Sequence, residues 1–88
     1  MPLIHLFGNL RRLAGVSQAQ ASGATVRHAI EMLCGGNAAL RGAILHRDTL
    51  RAHVRVMVNG HDVELAQGLD TAVKAEDQIA IFPPIAGG

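Results

Sequence analysis

Tryptophan and tyrosine are absent from this sequence of 88 residues, and phenylalanine stands only at Phe7 and Phe82. The core must therefore be aliphatic, and no aromatic platform is available on which nucleic-acid bases could stack. A net charge of +1 supplies no basic field either, so nucleic acid is not an expected partner. The single cysteine, Cys34, excludes an internal disulfide and any zinc site built from several cysteines. His5, His28, His46, His53 and His61 show no i, i+4 pair and no accompanying carboxylate motif, so no metal ion is expected. No apolar run approaches the ~20 residues needed to cross a bilayer. The opening MPLIHLFGNLRR carries its charges after the apolar stretch and not before it. A cytoplasmic protein without a membrane partner is the expectation.

What is present suits one small domain, whose length buries roughly 60 to 65 per cent of the unfolded surface. Leu3 to Phe7 is short and apolar, ends at Gly8-Asn9, and reads as a buried strand; LRRLAG then turns the chain. Ser17 to Ser22 alternates weakly enough for a second strand. Thr25 is placed to cap a helix whose apolar face is Val26, Ala29, Ile30 and Leu33, stopped by Gly35-Gly36. A shorter helix follows from Asn37 through Leu40, Ile44 and Leu45 despite Gly42, and HRDTLR reads as a surface loop. His53 to Val58 puts its valines on one face, and Asn59-Gly60 suits a type I′ turn, so His61 to Leu65 should pair back. A polar connection leads to a last strand, Gln78 to Phe82, ended by Pro83-Pro84.

With the first two strands as a hairpin and the last beside the first, this order predicts an α+β chain of β-grasp type: a mixed sheet on one main helix. A ferredoxin-like sandwich would need a second full helix, which GLDTAVKAED is too short and too polar to form. The β-grasp domain would occupy residues 1–82 and a tail residues 83–88. Proline after Phe82 favours extended backbone, and Pro-Pro favours polyproline II, so the tail should leave the sheet stiffly. Extended at ~3.3 Å per residue it reaches about 20 Å, and its glycines, lacking Cβ, suit a narrow channel in another protein. Its terminal carboxylate becomes reactive only once an oxygen is made a leaving group, as adenylation by ATP does. The sequence holds no phosphate-cradling loop, so it should bind no cofactor itself, and ATP would be used by a partner.

The stretch VNGHDVELAQGLDTAVKAEDQIAIFPPIAGG resembles the C-terminal half of the MoaD/ThiS family of ubiquitin-like sulfur carriers. Its FPPIAGG ending is similar to that of the small subunit of molybdopterin synthase, while GLDT and LRRLAG look more like carriers of the CysO type. The resemblance covers nearly the whole chain and is most specific in the tail. It implies that Gly88 is adenylated by a ubiquitin-activating-like partner and thiolated, then donates sulfur to a synthase subunit in molybdopterin, cysteine or thiamine synthesis. Gly87 would let the end enter an active site, Ile85 and Ala86 would line the channel, Pro83 and Pro84 would set the exit, and Phe82 would lie in the docking surface. Core packing is the other reading of Phe82. KAEDQ lacks the glycine that the family commonly places before the acidic residue of its tight turn, which bears on turn geometry and not on chemistry.

Other chemistry finds little footing. Ser17, Cys34, the histidines, Asp48 and Asp62 form no nucleophile and base motif, so an enzyme is not expected. Cys34, at a helix C-terminus in an apolar stretch, reads as a buried structural thiol. Arg11, Arg12, Arg51 and Arg55 read as a solvated face rather than a docking patch. The alternative function is a protein modifier joined through Gly88 to lysines of its targets, since both routes begin with the same adenylate.

Overall fold

The structure is a computed structural model and describes residues 1–84. Ile85, Ala86, Gly87 and Gly88 lie outside the described residues. Strand β1 (Leu3–Leu6) alternates half-buried and fully buried positions, which sends Ile4 and Leu6 inward and leaves His5 on the other face. It pairs antiparallel with β2 (Gln18–Gln20) and parallel with β7 (Gln78–Phe82). On the far side of β7 runs β5 (Arg55–Val58), antiparallel, followed by β6 (His61–Asp62). The sheet order β2-β1-β7-β5-β6 makes the last strand central, as the β-grasp reading requires.

Three helices cover one face. Helix α2 (Val26–Leu33) starts where the Thr25 hydroxyl accepts the His28 N–H, and it buries Val26, Ala29 and Ile30. Helix α3 (Ala38–Ile44) is capped by Asn37, whose side-chain oxygen accepts the Leu40 N–H, and it buries Leu40 and Ile44. These side chains, with Ile4, Leu6, Val56, Ile79 and Ile81, form one aliphatic core. Cys34 belongs to it at 5 % exposure, and burial pushes its thiol up to about 11.

Four local expectations are corrected. LRRLAG does more than turn: α1 (Asn9–Ala14) is a short helix that buries Leu10. Gly8 and Gly15 bracket it at positive φ, and Asn37 Nδ2 donates to Leu13 O across to α3, so tertiary contacts sustain a helix too short to persist alone. The HRDTLR segment closes a small hairpin between β3 (Leu45–His46) and β4 (Thr49–Leu50). The strand expected from His53 begins only at Arg55, because His53 adopts φ 69° in a preceding turn. Finally, pairing after the Asn59-Gly60 turn stops at Asp62, whose carboxylate accepts the Glu64 N–H and diverts the chain into a 3-10 turn at Val63–Leu65. The turn itself has positive φ at both Asn59 and Gly60, as type I′ geometry demands.

The KAEDQ turn forms without a glycine. No residue between Lys74 and Gln78 has positive φ, so the turn asks nothing that an L-residue cannot adopt. Asp77 closes it: its carboxylate accepts the Lys74 N–H at 2.8 Å and the Asn59 side-chain N–H at 2.9 Å. These two donors, the Lys74 N–H first, hold the Asp77 carboxyl below its ordinary range.

Candidate functional site

Strand parity places Phe82. Ile79 and Ile81 are fully buried, so Ala80 and Phe82 face the side of the sheet that no helix covers. The parallel register His5↔Ala80 and Leu6↔Ile81 brings Phe7 beside Phe82. Their rings stack at 4.5 Å between centroids with 12° between planes. Arg11 lies over Phe7 at 5.4 Å from its centroid, and its Nε donates to Leu6 O at 2.8 Å. Phe82 is thus half-buried against an aromatic neighbour and is not part of the aliphatic core, which corrects the reading of Phe82 as ordinary core packing.

The uncovered face continues from the aromatic pair in two directions. Toward the Asn59-Gly60 turn lies a groove of about 370 Å³ lined by His5, Phe7, Met57, Gln78 and Ala80. The His5 Nε2–H donates to Gln78 Oε1 at 2.9 Å along its floor. Toward the tail lies a more apolar groove of about 570 Å³ formed by Met57, Phe82, Pro83, Pro84 and Gly8, with His53 and Arg55 at its rim. Gly8 and Pro83 approach so closely that a Cβ at Gly8 would stand 2.7 Å from Pro83 Cγ. Pro83 therefore leaves the sheet beside the loop between β1 and α1, next to the aromatic pair.

Phe82, Pro83 and Pro84 are thus brought to one apolar edge, whereas Ile85 to Gly88 fall outside the described residues. Sequence reasoning missed Phe7, Met57 and Gly8 as parts of this edge. The alternation of β1 could have assigned Phe7 to the same face as His5, but only the β1–β7 register joins it to Phe82. Of the four arginines read as a solvated face, Arg55 pairs with Asp62 at 2.9 Å and Arg51 Nε donates to Gly42 O, so both are tied to their own chain. Among the described residues, no group of three or more His, Cys, Asp or Glu gathers to hold a metal ion, and no helix is long and apolar enough to cross a membrane.

Residues 4–88 match the model of the ThiS family. Small archaeal modifier protein 1 of Haloferax volcanii is 34 % identical over 87 residues, covering 94 % of this chain and 95 % of its own. In the BexX/CysO complex of Amycolatopsis orientalis, one chain superimposes with a TM-score of 0.90 at 29 % identity, with full coverage of both chains. CysO of Mycobacterium tuberculosis gives 0.85 at 25 % identity, covering 97 % of this chain and all of its own.

Proposed function

Because the chain belongs to the ThiS family, whose relatives here are small ubiquitin-like carriers and modifiers, we propose that it carries sulfur as a thiocarboxylate on Gly88. The observation that carries this reading is the path of β7. It runs from the core into Pro83-Pro84 at the edge of an uncovered apolar face, and the family match continues through residue 88. A partner enzyme would grip that face through Phe7, Phe82 and Met57 while the tail enters its active site.

The chemistry follows from the carboxylate. The Gly88 oxygen attacks the α-phosphorus of ATP bound by the partner, and pyrophosphate leaves. Hydrosulfide then attacks the acyl carbon, AMP departs with the C–O electron pair, a proton is lost to solvent, and a thiocarboxylate remains. Attack of that sulfur on an activated carbon of an acceptor expels the leaving group of that carbon and gives a thioester, whose hydrolysis leaves the sulfur on the acceptor as a thiol and returns the carboxylate. This chain supplies the acyl group and the docking face, and the partners supply ATP binding and catalysis. Molybdopterin synthesis or a related pathway such as cysteine or thiamine synthesis is the proposed destination, with a synthase subunit as acceptor. One chain of the BexX/CysO complex resembles this chain closely in fold, which supports a protein as a partner.

A second reading has its own support. The likeness to small archaeal modifier protein 1 over nearly the full length favours conjugation through Gly88 to lysines of other proteins. Intact mass of the protein from its native host separates the two. Replacement of one oxygen by sulfur, mapped to the peptide ending at Gly88 and abolished in Gly88→Ala, supports the carrier. Gly88 found only in branched peptides from other proteins supports the modifier, and an unmodified Gly88 with no conjugates overturns both.

A further inference from the structure

The uncovered face carries a cation fixed at its edge. Gly8 turns the chain at positive φ into α1, and the side chain of Arg11 reaches back from that helix to the end of β1. There its Nε–H donates to Leu6 O at 2.8 Å, and its guanidinium stands 5.4 Å from the centroid of Phe7, which is itself stacked on Phe82. We propose that Arg11 is a carboxylate-binding anchor: the partner that covers Phe7 and Phe82 seats an aspartate or glutamate on the Nη atoms of this guanidinium. The inference rests on the reading in which an adenylating partner docks on this face.

The chain supplies carboxylates to other arginines but not to this one. Arg27 pairs with Asp70, Arg41 with Glu31 and Arg55 with Asp62. Among the described residues Arg11 has no carboxylate partner, and its hydrogen bond uses Nε, so Nη1 and Nη2 keep their donors. Arg12, the next residue of α1, is exposed as well, yet among the described residues no hydrogen bond or ring holds it. An exposed arginine ordinarily gives up rotamer freedom when a partner fixes it, which offsets much of the gain from the contact. In Arg11 the Leu6 carbonyl and the Phe7 ring have already restricted that freedom.

Burial then dictates the chemistry of the partner. A surface laid over Phe7 and Phe82 also takes the guanidinium beside them out of water, and the hydrogen bond to Leu6 O opposes its swinging clear. A cation so covered is costly unless an opposite charge meets it. The guanidinium is planar, so its free Nη groups can hold both oxygens of one carboxylate. A partner offering an apolar patch alone would leave Arg11 unpaired, so the residue that strengthens the right complex also discriminates against others.

The test measures ATP-dependent loading of the full chain by the adenylating enzyme of its native host, isolated by that activity, as a function of chain and sodium chloride concentrations. Arg11→Gln keeps an N–H donor for Leu6 O and removes the charge, and Arg12→Gln removes the same charge one residue away. At low salt the KM of Arg11→Gln should rise about tenfold with kcat little changed. The rise of KM with salt should flatten in Arg11→Gln and persist in Arg12→Gln. The amine introduced by Arg11→Lys should be joined by a carbodiimide to an Asp or Glu of the enzyme, mapped in the linked peptide. An unchanged KM in Arg11→Gln would overturn the assignment, as would equal effects of the two glutamine variants, which would mark a general field. A raised KM with the full salt dependence retained would also overturn it, since Arg11 would then act by holding Phe7. A wild type that the enzyme does not load would instead remove the adenylation reading, and this proposal with it.

Discussion

Phe7 and Phe82, the sequence's two aromatic residues, stack on each other at 4.5 Å outside the aliphatic core. A chain with so few aromatics would bury them if stability alone set their place, because each offers a large apolar area. Their position on the uncovered face fits a role in docking. Phe82→Ala is expected to lower stability by only about 1 kcal/mol, in keeping with half-burial. Its loading with sulfur by the activating partner should fall tenfold or more. Urea denaturation and quantitative mass spectrometry read the two effects separately, and a loss of stability that accounts for the whole loss of loading would remove the docking role. A double-mutant cycle with Phe7→Ala should return a coupling of about 0.5–1.5 kcal/mol.

Two glycines should respond to alanine with opposite signs. A Cβ at Gly23 would stand 2.7 Å from Ala29 N and 3.1 Å from Ala29 Cα, both backbone atoms of α2 that cannot rotate away. Gly23→Ala should therefore cost about 1–3 kcal/mol through displacement of that helix. Gly42 lies within α3 with open space around its Cβ direction. Gly42→Ala should stabilise by about 0.4–1 kcal/mol, chiefly by restricting the unfolded chain. Thermal and urea midpoints of the two variants check the pair, and equal signs would contradict the geometry.

Stability should decline in acid for two identified reasons. Glu31 accepts both Arg41 Nε and Arg41 Nη2 at 2.8 Å, and that hydrogen-bonded guanidinium holds its carboxyl below the ordinary value. Asp77 is held low by the Lys74 N–H and then by the Asn59 side chain. A depressed folded-state value means that the stabilisation is complete above the unfolded-state value, near 4, and disappears as pH falls through the folded one. Urea midpoints measured from pH 7 to pH 2 should fall below about pH 4.5, and the slope should flatten in Glu31→Gln and in Asp77→Ala. High salt should weaken the Glu31 part more, because an exposed ion pair is screened. An unchanged slope in both variants would assign the acid loss to other carboxylates.

How much of this was legible in advance depended on the range of the interaction. Asn59-Gly60 announced its turn because two successive residues tolerate positive φ, and Gln78 to Phe82 announced its strand because isoleucine alternation and the prolines are local signals. Helix α1 was not legible: six residues carry too little periodicity, and what holds its end is an amide of Asn37 distant in sequence. The truncation of β6 depends on one Asp62 side chain accepting a backbone N–H, a competition that strand patterning does not register. At the site, parity placed Phe82 on the outer face, but its stacking partner required the parallel register of β1 and β7, which is a long-range fact.

The last prediction concerns the reagent that would detect the thiocarboxylate. Alkylation finds sulfur nucleophiles, and this chain has one thiol, Cys34, that could be mistaken for the carried sulfur. Cys34 is 5 % exposed, and burial first, with Glu31 second, pushes its thiol up to about 11. At pH 8 its thiolate fraction is then about one in a thousand, and its reaction with iodoacetamide should be slow while the fold holds. A thiocarboxylate at Gly88 is a far stronger acid and is ionised throughout this range. Folded, sulfur-loaded protein should therefore take up one carbamidomethyl group, at the C-terminal peptide, and a second at Cys34 only after unfolding in guanidinium. Unloaded protein should take up none when folded and one when unfolded. Rapid labelling of Cys34 in the folded, unloaded chain would show that α2 opens near its C-terminus far more readily than the burial of Cys34 in the core implies.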